Sequence, residues 1–328
     1  MDITLLTSTI RHLTRPRVGI LAADESMPTI TKRFKAVGID STQENRRAYR
    51  ELLFTTPGLG EFISGCILFE ETLEQSTTQG ELFTKVLSDQ NIYIGIKVDK
   101  GLVPFVMTEN ADNTEQVTEG LDGLRDRLIA YKKQGASFAK WRAVFSISNT
   151  KPSKLLIKTN VVLLARYAAL CQEQGLVPIV EPEILMDGAH TLEYCAQVTE
   201  SVLETLFHAL HKHSVALECM ILKPSMVIPG KICTEHANSE QIAQMTLKIF
   251  KRTVPVAVPS INFLSGGQTP EEATANLRAL KNGYTPWNVS FSFGRALQDP
   301  CLKLWSGRLE NVAAAQKVLL ERAKLNSL

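Results

Sequence analysis

The chain has 328 residues, of which 44% are hydrophobic, with 36 Lys and Arg against 34 Asp and Glu and a formal net charge of +2. A chain this apolar can bury enough surface to fold, which excludes a disordered protein, and the balanced charge argues against a nucleic-acid binder. The length fits either two ordinary domains or one large α/β domain.

The N-terminal segment and the cysteines indicate the compartment. Residues 1–13 contain Asp2 and lack a sustained apolar run, so they fit a secretory signal poorly and predict a short amphipathic helix. The six cysteines include no CxxC pair, which favours reduced thiols over a zinc ribbon or a disulfide framework. We see no run of about twenty apolar residues that would span a membrane. We therefore expect a cytoplasmic protein.

Eight short apolar runs predict the strands of a parallel sheet. Their starts lie about 39 residues apart on average, and segments with helical periodicity separate them. The runs are 18–23, 66–69, 94–98, 138–141, 177–180, 219–222, 260–264 and 288–293. Eight strand–helix units predict a (β/α)8 TIM barrel in the α/β class, with the N-terminal helix as an extra element and residues 1–328 as a single domain. An open doubly wound sheet is the alternative, but a glycine-rich turn would normally follow its first strand, where this chain has Asp24, Glu25 and Ser26.

Helix start signals support this alternation. A long apolar-rich helix is predicted over residues 155–174, and Thr191 is expected to begin another that runs towards His213. Thr269, Pro270 and Glu272 form a capping box with proline at the first helical position.

Charged residues end several of the predicted strands. Side chains alternate faces along a strand, so Lys97 and Asp99, Lys140 and Arg142, and Glu181 and Glu183 each share one face. On the same face, Phe138, Ile179 and Ile221 precede these charges, as expected for a barrel interior that becomes polar at its carboxyl end. Barrel enzymes place their active sites at that end.

This cluster could support amine catalysis. A lysine must be neutral to attack a carbonyl, and burial and a second nearby cation both favour the neutral amine. Lys223 is the best candidate for the nucleophile, and Lys140 and Arg142 would supply the neighbouring positive charge. Glu181 could move protons while the carbinolamine forms and dehydrates, and Asp24 could accept a hydroxyl proton. These residues together predict a Schiff-base lyase.

Two glycine-containing turns predict a phosphate site after the last two strands, where barrels often hold one. Exposed backbone N–H groups and one arginine can together bind a phosphate. Two ordinary strand–helix turns are an equal alternative at this point. The candidate ligands are Ser265, Gly266, Gly267, Ser292, Gly294 and Arg295.

Two further sequence features do not indicate an additional function. The string LSGGQ at 264–268 occurs in ABC-type ATPases, but no Walker A motif accompanies it, since Gly230 and Lys231 are followed by Ile232. His208 and His211 share a helix face without a matched carboxylate, so no metal site is expected.

The motifs at the strand ends resemble those of the class I fructose-1,6-bisphosphate aldolase family. They occur in family order over nearly the whole chain, and the family's fold is a (β/α)8 barrel. The motifs are GILAADES (19–26), GIKVDKG (95–101), FAKWR (138–142), VPIVEPEIL (177–185), LKP (222–224), FLSGG (263–267) and GRAL (294–297).

The resemblance implies a role for each matched residue. Lys223 matches the Schiff-base lysine, Glu181 the acid/base that dehydrates the carbinolamine, and Asp24 the base acting on the C4 hydroxyl, with Lys140 holding that region. Glu183, Arg142 and Lys97 match positions that orient the substrate and the lysines. The two glycine turns match the site of one phosphate, and Ser26, Arg33 and Lys97 match the region of the other.

The resemblance also implies the reaction, which is reversible cleavage of fructose 1,6-bisphosphate to dihydroxyacetone phosphate and glyceraldehyde 3-phosphate. Neither a metal nor another cofactor is expected, because the protonated imine accepts the electrons. The family resemblance suggests a homotetramer. A Schiff-base aldolase for another ketose phosphate and a non-catalytic scaffold that retains the barrel are the alternatives.

Three features depart from the family pattern. Met27, Pro28 and Thr29 stand where a Gly-Ser pair is usual, and Glu70 stands where animal enzymes have histidine. The family's animal members continue beyond the position of Leu328 into a tail whose terminal tyrosine assists proton exchange at the enamine. We therefore expect another residue or water to protonate the enamine here.

Overall fold

The strands of the protein form one closed barrel and one separate hairpin in the computed structural model, which describes residues 2–105 and 115–328. The described strands are β1 (Gly19–Ala23), β2 (Ile63–Leu68), β3 (Tyr93–Lys97), β4 (Gly101–Pro104), β5 (Gln116–Glu119), β6 (Ala136–Phe145), β7 (Val177–Ile184), β8 (Ile221–Leu222), β9 (Ser260–Phe263) and β10 (Asn288–Phe293). The described α-helices are α1 (Ile3–Leu13), α2 (Met27–Lys35), α3 (Gln43–Phe54), α4 (Phe83–Asp89), α5 (Leu124–Lys133), α6 (Lys154–Glu173), α7 (Leu192–Lys212), α8 (Ser239–Thr253), α9 (Pro270–Lys281), α10 (Arg295–Trp305) and α11 (Val312–Ser327).

The barrel order is β1-β10-β9-β8-β7-β6-β3-β2, and every neighbouring pair is parallel. The predicted (β/α)8 fold is confirmed. β6 and β7 extend beyond their apolar runs at the carboxyl end, because ladder hydrogen bonds join backbone groups whatever side chains they carry. In that extension Arg142 of β6 pairs with Glu181 of β7, so charged positions lie inside the ladder.

The predicted N-terminal helix is confirmed, and it closes one end of the barrel. The Asp2 side chain accepts a hydrogen bond from Leu5 N and so caps α1. The buried face of α1 packs against apolar residues that face the barrel interior. That cluster contains Leu6, Ile10, Leu13, Ile20, Ala22, Ile67, Phe138, Val177, Ile179, Cys219 and Ile221.

Phe138 fills the centre of this apolar plug. A Cβ atom on Gly95 of β3 would lie 2.1 Å from the Phe138 ring, so the ring requires glycine at that position. The apolar plug occupies the amino-terminal half of the interior and leaves the charged residues for the carboxyl end.

The outer helices pack on the barrel through a second, larger core. Trp141 of β6 is fully buried and its ring lies 5.6 Å from that of Tyr167 on α6. Within the described residues α6 is the one helix long and apolar enough to cross a membrane, and more than half of the tested stretch is buried in the fold. Packing against the barrel therefore accounts for the apolar character of α6. The capping boxes at Thr269 and, unpredicted, at Asn238 begin α9 and α8.

The sequence did not predict a hairpin that follows β3. The strands β4 and β5 pair as an antiparallel hairpin after β3. The Asn160 side chain of α6 holds this hairpin, because it donates to Gln116 O (3.1 Å) and accepts from Thr118 N (3.4 Å).

Candidate active site

Four charged side chains from four different strands meet inside the carboxyl end of the barrel. Asp24 directly follows β1, Lys140 and Glu181 lie in β6 and β7, and Lys223 directly follows β8. All four are buried, and none exposes more than 9% of its surface. Alternation places them on the same interior face as Phe138, one layer above the apolar plug.

Ion pairs connect the four groups in series. Lys140 Nζ lies 2.6 Å from Asp24 Oδ2 and 3.4 Å from Glu181 Oε2. Glu181 Oε1 lies 3.3 Å from Lys223 Nζ. Glu181 Oε2 makes no hydrogen bond with any described residue, so one oxygen of this carboxylate is available to a ligand. The arrangement places one carboxylate between two lysines, within reach of a nitrogen nucleophile for proton transfer.

The electrostatics of the cluster fix its charge state. Burial alone would raise the pKa of Asp24, but the ammonium groups of Lys140 and Lys223 outweigh burial and lower it to about 2. Burial likewise disfavours the charged form of Lys140, yet the carboxylates of Asp24 and Glu181 raise its pKa well above the ordinary value. Despite burial, the pKa of Glu181 is also lowered, by Lys223 and then Lys140. At neutral pH both carboxylates are therefore ionised and Lys140 is a cation.

A second group of charges borders this cluster. The Arg142 guanidinium forms an ion pair with Glu183. Lys97 Nζ lies 2.5 Å from Asp99 Oδ1 and also donates to the backbone oxygen of Asp99 (2.8 Å). The Arg142–Glu183 pair joins the polar ends of β6 and β7, and Asp99, just beyond the end of β3, reaches β6 by accepting a hydrogen bond from Arg142 N (3.4 Å).

The two predicted phosphate turns are neighbours, because β9 and β10 pair along their length. The Arg295 guanidinium donates a hydrogen bond to the backbone oxygen of Gly266, which links the two turns. The backbone amides of Gly266 and Gly267 make no hydrogen bond to another backbone group of the described chain. Ser292 is 1% exposed, and its hydroxyl has no partner among the described residues. A buried donor without a partner is unusual and is consistent with a binding group.

The residues matched to the second phosphate are less closely grouped. The Ser26 hydroxyl lies 3.1 Å from that of Thr29 in the first turn of α2. Pro28 occupies the same turn, where its missing N–H is tolerated. The Arg33 guanidinium donates to Gln298 (3.1 Å) and Asp299 (2.9 Å) and forms an ion pair with Glu25, so its described contacts are internal.

Sequence reasoning missed a buried network behind Asp24. Glu25 Oε2 accepts from Arg50 (2.7 Å), and its other oxygen pairs with Arg33. Gln298 donates to the backbone oxygen of Ala22 (2.6 Å) and accepts from the Tyr49 hydroxyl (2.9 Å). The network ties α2, α3 and α10 to the end of β1 and so fixes the position of Asp24. The sole sequence signal for it was a further charge, Glu25, after that strand.

No group of three or more His, Cys, Asp or Glu side chains arranged to hold a metal ion occurs in residues 2–105 and 115–328. All six cysteines are free.

The family model for class-I fructose-bisphosphate aldolase matches residues 5–328. The chain is 54% identical to Probable fructose-bisphosphate aldolase class 1 of Xanthomonas campestris pv. campestris, over all of this chain and 98% of that protein. It is 53% identical to Fructose-bisphosphate aldolase 4, cytosolic, of Arabidopsis thaliana, over 98% of this chain and 81% of that one. A solved structure of Plasmodium falciparum fructose-bisphosphate aldolase, in complex with TRAP and a small-molecule inhibitor, superposes with a TM-score of 0.96 at 50% identity and covers 99% of this chain and 93% of that one.

Proposed function

The chain belongs to the class I fructose-bisphosphate aldolase family, and on this premise we propose how its own residues cleave fructose 1,6-bisphosphate. The enzyme is a lyase that acts on a sugar phosphate. The observation that carries the proposal is the buried series Asp24–Lys140–Glu181–Lys223, in which two lysines and two carboxylates lie within ion-pair distance.

Schiff-base formation is the first chemical step. Glu181, ionised in the free enzyme and 3.3 Å from Lys223 Nζ, first accepts a proton from the Lys223 ammonium. The neutral amine then attacks the ketose carbonyl, and a proton passes from the nitrogen to the carbonyl oxygen to give a carbinolamine. Glu181 returns its own proton to the carbinolamine hydroxyl. That hydroxyl leaves as water, and the product is an iminium joined to Lys223.

Cleavage of the C3–C4 bond follows. Asp24 accepts the proton of the C4 hydroxyl, the C4–O group becomes the aldehyde of glyceraldehyde 3-phosphate, and the bonding electrons move into the iminium to give an enamine. Lys140 keeps Asp24 ionised and so ready to act as a base. Protonation and hydrolysis of the enamine then release dihydroxyacetone phosphate. The iminium serves as the electron sink, so the proposed route uses no metal or organic cofactor.

Substrate orientation is assigned to the surrounding polar residues. Ser265, Gly266, Gly267, Ser292, Gly294 and Arg295 bind one phosphate, and their unpaired amides and buried hydroxyl support this role. Ser26, Arg33 and Lys97 belong to the region of the other phosphate, where Arg33 acts through its internal ion pairs. Arg142 and Glu183 hold the rim of the cluster.

Borohydride trapping tests the Schiff base. The protein is incubated with dihydroxyacetone phosphate, reduced, digested and mapped by mass spectrometry, and we expect the label on Lys223. Lys223→Met should abolish both the label and the cleavage activity, whereas Lys85→Met, at a lysine that is 61% exposed, should change neither. Activity should also survive EDTA. Label on a different lysine, or full activity of Lys223→Met, would show the assignment to be wrong.

We further propose a cytoplasmic homotetramer. The six free cysteines support a reducing compartment, and the tetramer rests on the family resemblance alone. Light scattering after size-exclusion chromatography tests the assembly, and a mass near 36 kDa would indicate a monomer instead.

A further inference from the structure

Two loops at the carboxyl end of the barrel are joined beside the phosphate turn. One follows β7 (185–191) and the other follows β8 (223–238). Backbone hydrogen bonds form a clasp between them, from Gly230 N to His190 O (2.8 Å), from Lys231 N to Met186 O (2.8 Å) and from Ile232 N to Gly188 O (3.0 Å). The clasp fixes the backbone of Lys231 relative to the barrel.

This position brings the Lys231 side chain against Gly267. A Cβ atom built on Gly267 would lie 2.7 Å from both Cε and Nζ of Lys231, and 2.6 Å from Met186 Sδ. Real Cβ atoms do not approach other atoms this closely, so glycine at 267 leaves room for the lysine. Arg295 contacts the preceding residue, Gly266, through its guanidinium. The phosphate turn thus has one cation from the β8–α8 loop and another from α10.

The described partner of Lys231 holds it only weakly. Its ammonium lies 3.2 Å from Asp187 Oδ1, with 46% and 71% of the two side chains exposed. Water screens such an exposed pair, and a flexible lysine stem can exchange one anion for another. A phosphate monoester carries more negative charge than a carboxylate and offers more acceptor oxygens, so it competes well for the same ammonium.

We propose that Lys231 is an additional, exchangeable ligand of the phosphate bound at residues 265–267 and 292–295, and that Asp187 competes with that phosphate for its ammonium. The inference rests on the proposed function only in placing a substrate phosphate at this turn. Lys231 takes no part in the covalent chemistry. Its effect is on affinity for phosphorylated ketoses, and Asp187 reduces that affinity.

The test compares Lys231→Met, Lys231→Arg, Asp187→Asn and the Lys231→Met/Asp187→Asn double variant in the full chain. Lys231→Met should raise KM for fructose 1,6-bisphosphate by about five- to tenfold with kcat little changed, since a ground-state phosphate contact is lost. Asp187→Asn should lower KM by about two- to threefold, because the competing carboxylate is removed. Lys231→Arg should restore most of the affinity. Lys85→Met is the matched control, because it removes an exposed, ion-paired lysine from α4 and should leave KM unchanged.

The double variant distinguishes a loss of phosphate binding from a disturbance of the clasp between the two loops. If Lys231 acts on the phosphate, Asp187→Asn has no effect once Lys231 is methionine. If both single substitutions raise KM, or if Lys231→Met leaves KM unaltered, the proposal is wrong. Calorimetric titration with inorganic phosphate gives a readout independent of turnover, and the same order of affinities is expected. If trapping at Lys223 fails while the variants keep the expected order of phosphate affinities, the Schiff-base proposal is wrong and the Lys231 proposal is supported. If trapping succeeds while phosphate affinity is equal in all variants, only the Lys231 proposal is wrong.

Discussion

Replacing Lys140 by methionine perturbs the centre of the ion-pair series. The pKa of Asp24 falls from its ordinary value of 3.8 to about 2 in the folded protein. At about 1.4 kcal/mol per pH unit, that shift corresponds to about 2–3 kcal/mol of stability at neutral pH. Without Lys140 the buried Asp24 also loses its ion-pair partner and Glu181 keeps only Lys223, so we expect Lys140→Met to lose about 3–5 kcal/mol. Asp24→Asn in the Lys140→Met background should recover part of this loss.

Equilibrium urea unfolding at several pH values measures the effect. In the wild type, the contribution of Asp24 is complete above pH 3.8 and is lost as the pH falls through about 2, because protonation discharges a stabilised carboxylate. In Lys140→Met the unpaired, buried Asp24 should have a raised pKa, so the native state takes up a proton and the deficit shrinks between pH 7 and pH 5. A deficit below about 1 kcal/mol at pH 7, or one that stays constant down to pH 5, would refute this account of the cluster.

Three further substitutions have predicted effects on activity or stability. Asp24→Asn should abolish cleavage of fructose 1,6-bisphosphate yet leave borohydride trapping of dihydroxyacetone phosphate at Lys223, because that substrate has no C4 hydroxyl; loss of trapping would contradict the assigned role. Ser292→Ala should change the free energy of unfolding by less than about 0.5 kcal/mol, since the hydroxyl has no described partner, while KM rises; an unchanged KM would exclude a phosphate contact. Phe138→Ala should cost about 3–5 kcal/mol in urea unfolding, because the ring fills the barrel plug, and a loss below about 1 kcal/mol would show that the plug collapses around the gap.

The barrel and its central charges could be predicted because both leave local signals. Strand alternation puts Lys140 and Glu181 on the same face as Phe138 and Ile179; Lys140 lies within the run 138–141 and Glu181 directly follows the run 177–180. The order of the strands then brings the charges together without further information.

The contacts of Arg33, the β4–β5 hairpin and the position of Lys231 could not be predicted, because they depend on residues that are distant in the sequence. The resemblance matches Arg33 to the region of the second phosphate, but its partner Asp299 lies 266 residues further along the chain, so no local pattern shows their ion pair. The hairpin of β4 and β5 lacks the alternation of a half-buried strand. In the sequence, Lys231 drew attention only because Gly230 and Lys231 partly match a Walker A motif. Its position over Gly267 arises from packing between two loops.

The apolar plug formed by α1 and Phe138 also bears on the order of events in a turnover. Because the plug closes the amino-terminal end of the barrel as described in residues 2–105 and 115–328, ligands are expected to enter and leave at the carboxyl end. In the proposed mechanism the ketose half of the substrate stays covalently attached to Lys223 after bond cleavage, so the aldehyde departs first. Dihydroxyacetone phosphate follows last, and in the synthetic direction it must bind first. The proposed mechanism therefore predicts ordered kinetics, and product-inhibition patterns should show dihydroxyacetone phosphate competing directly with fructose 1,6-bisphosphate for the free enzyme.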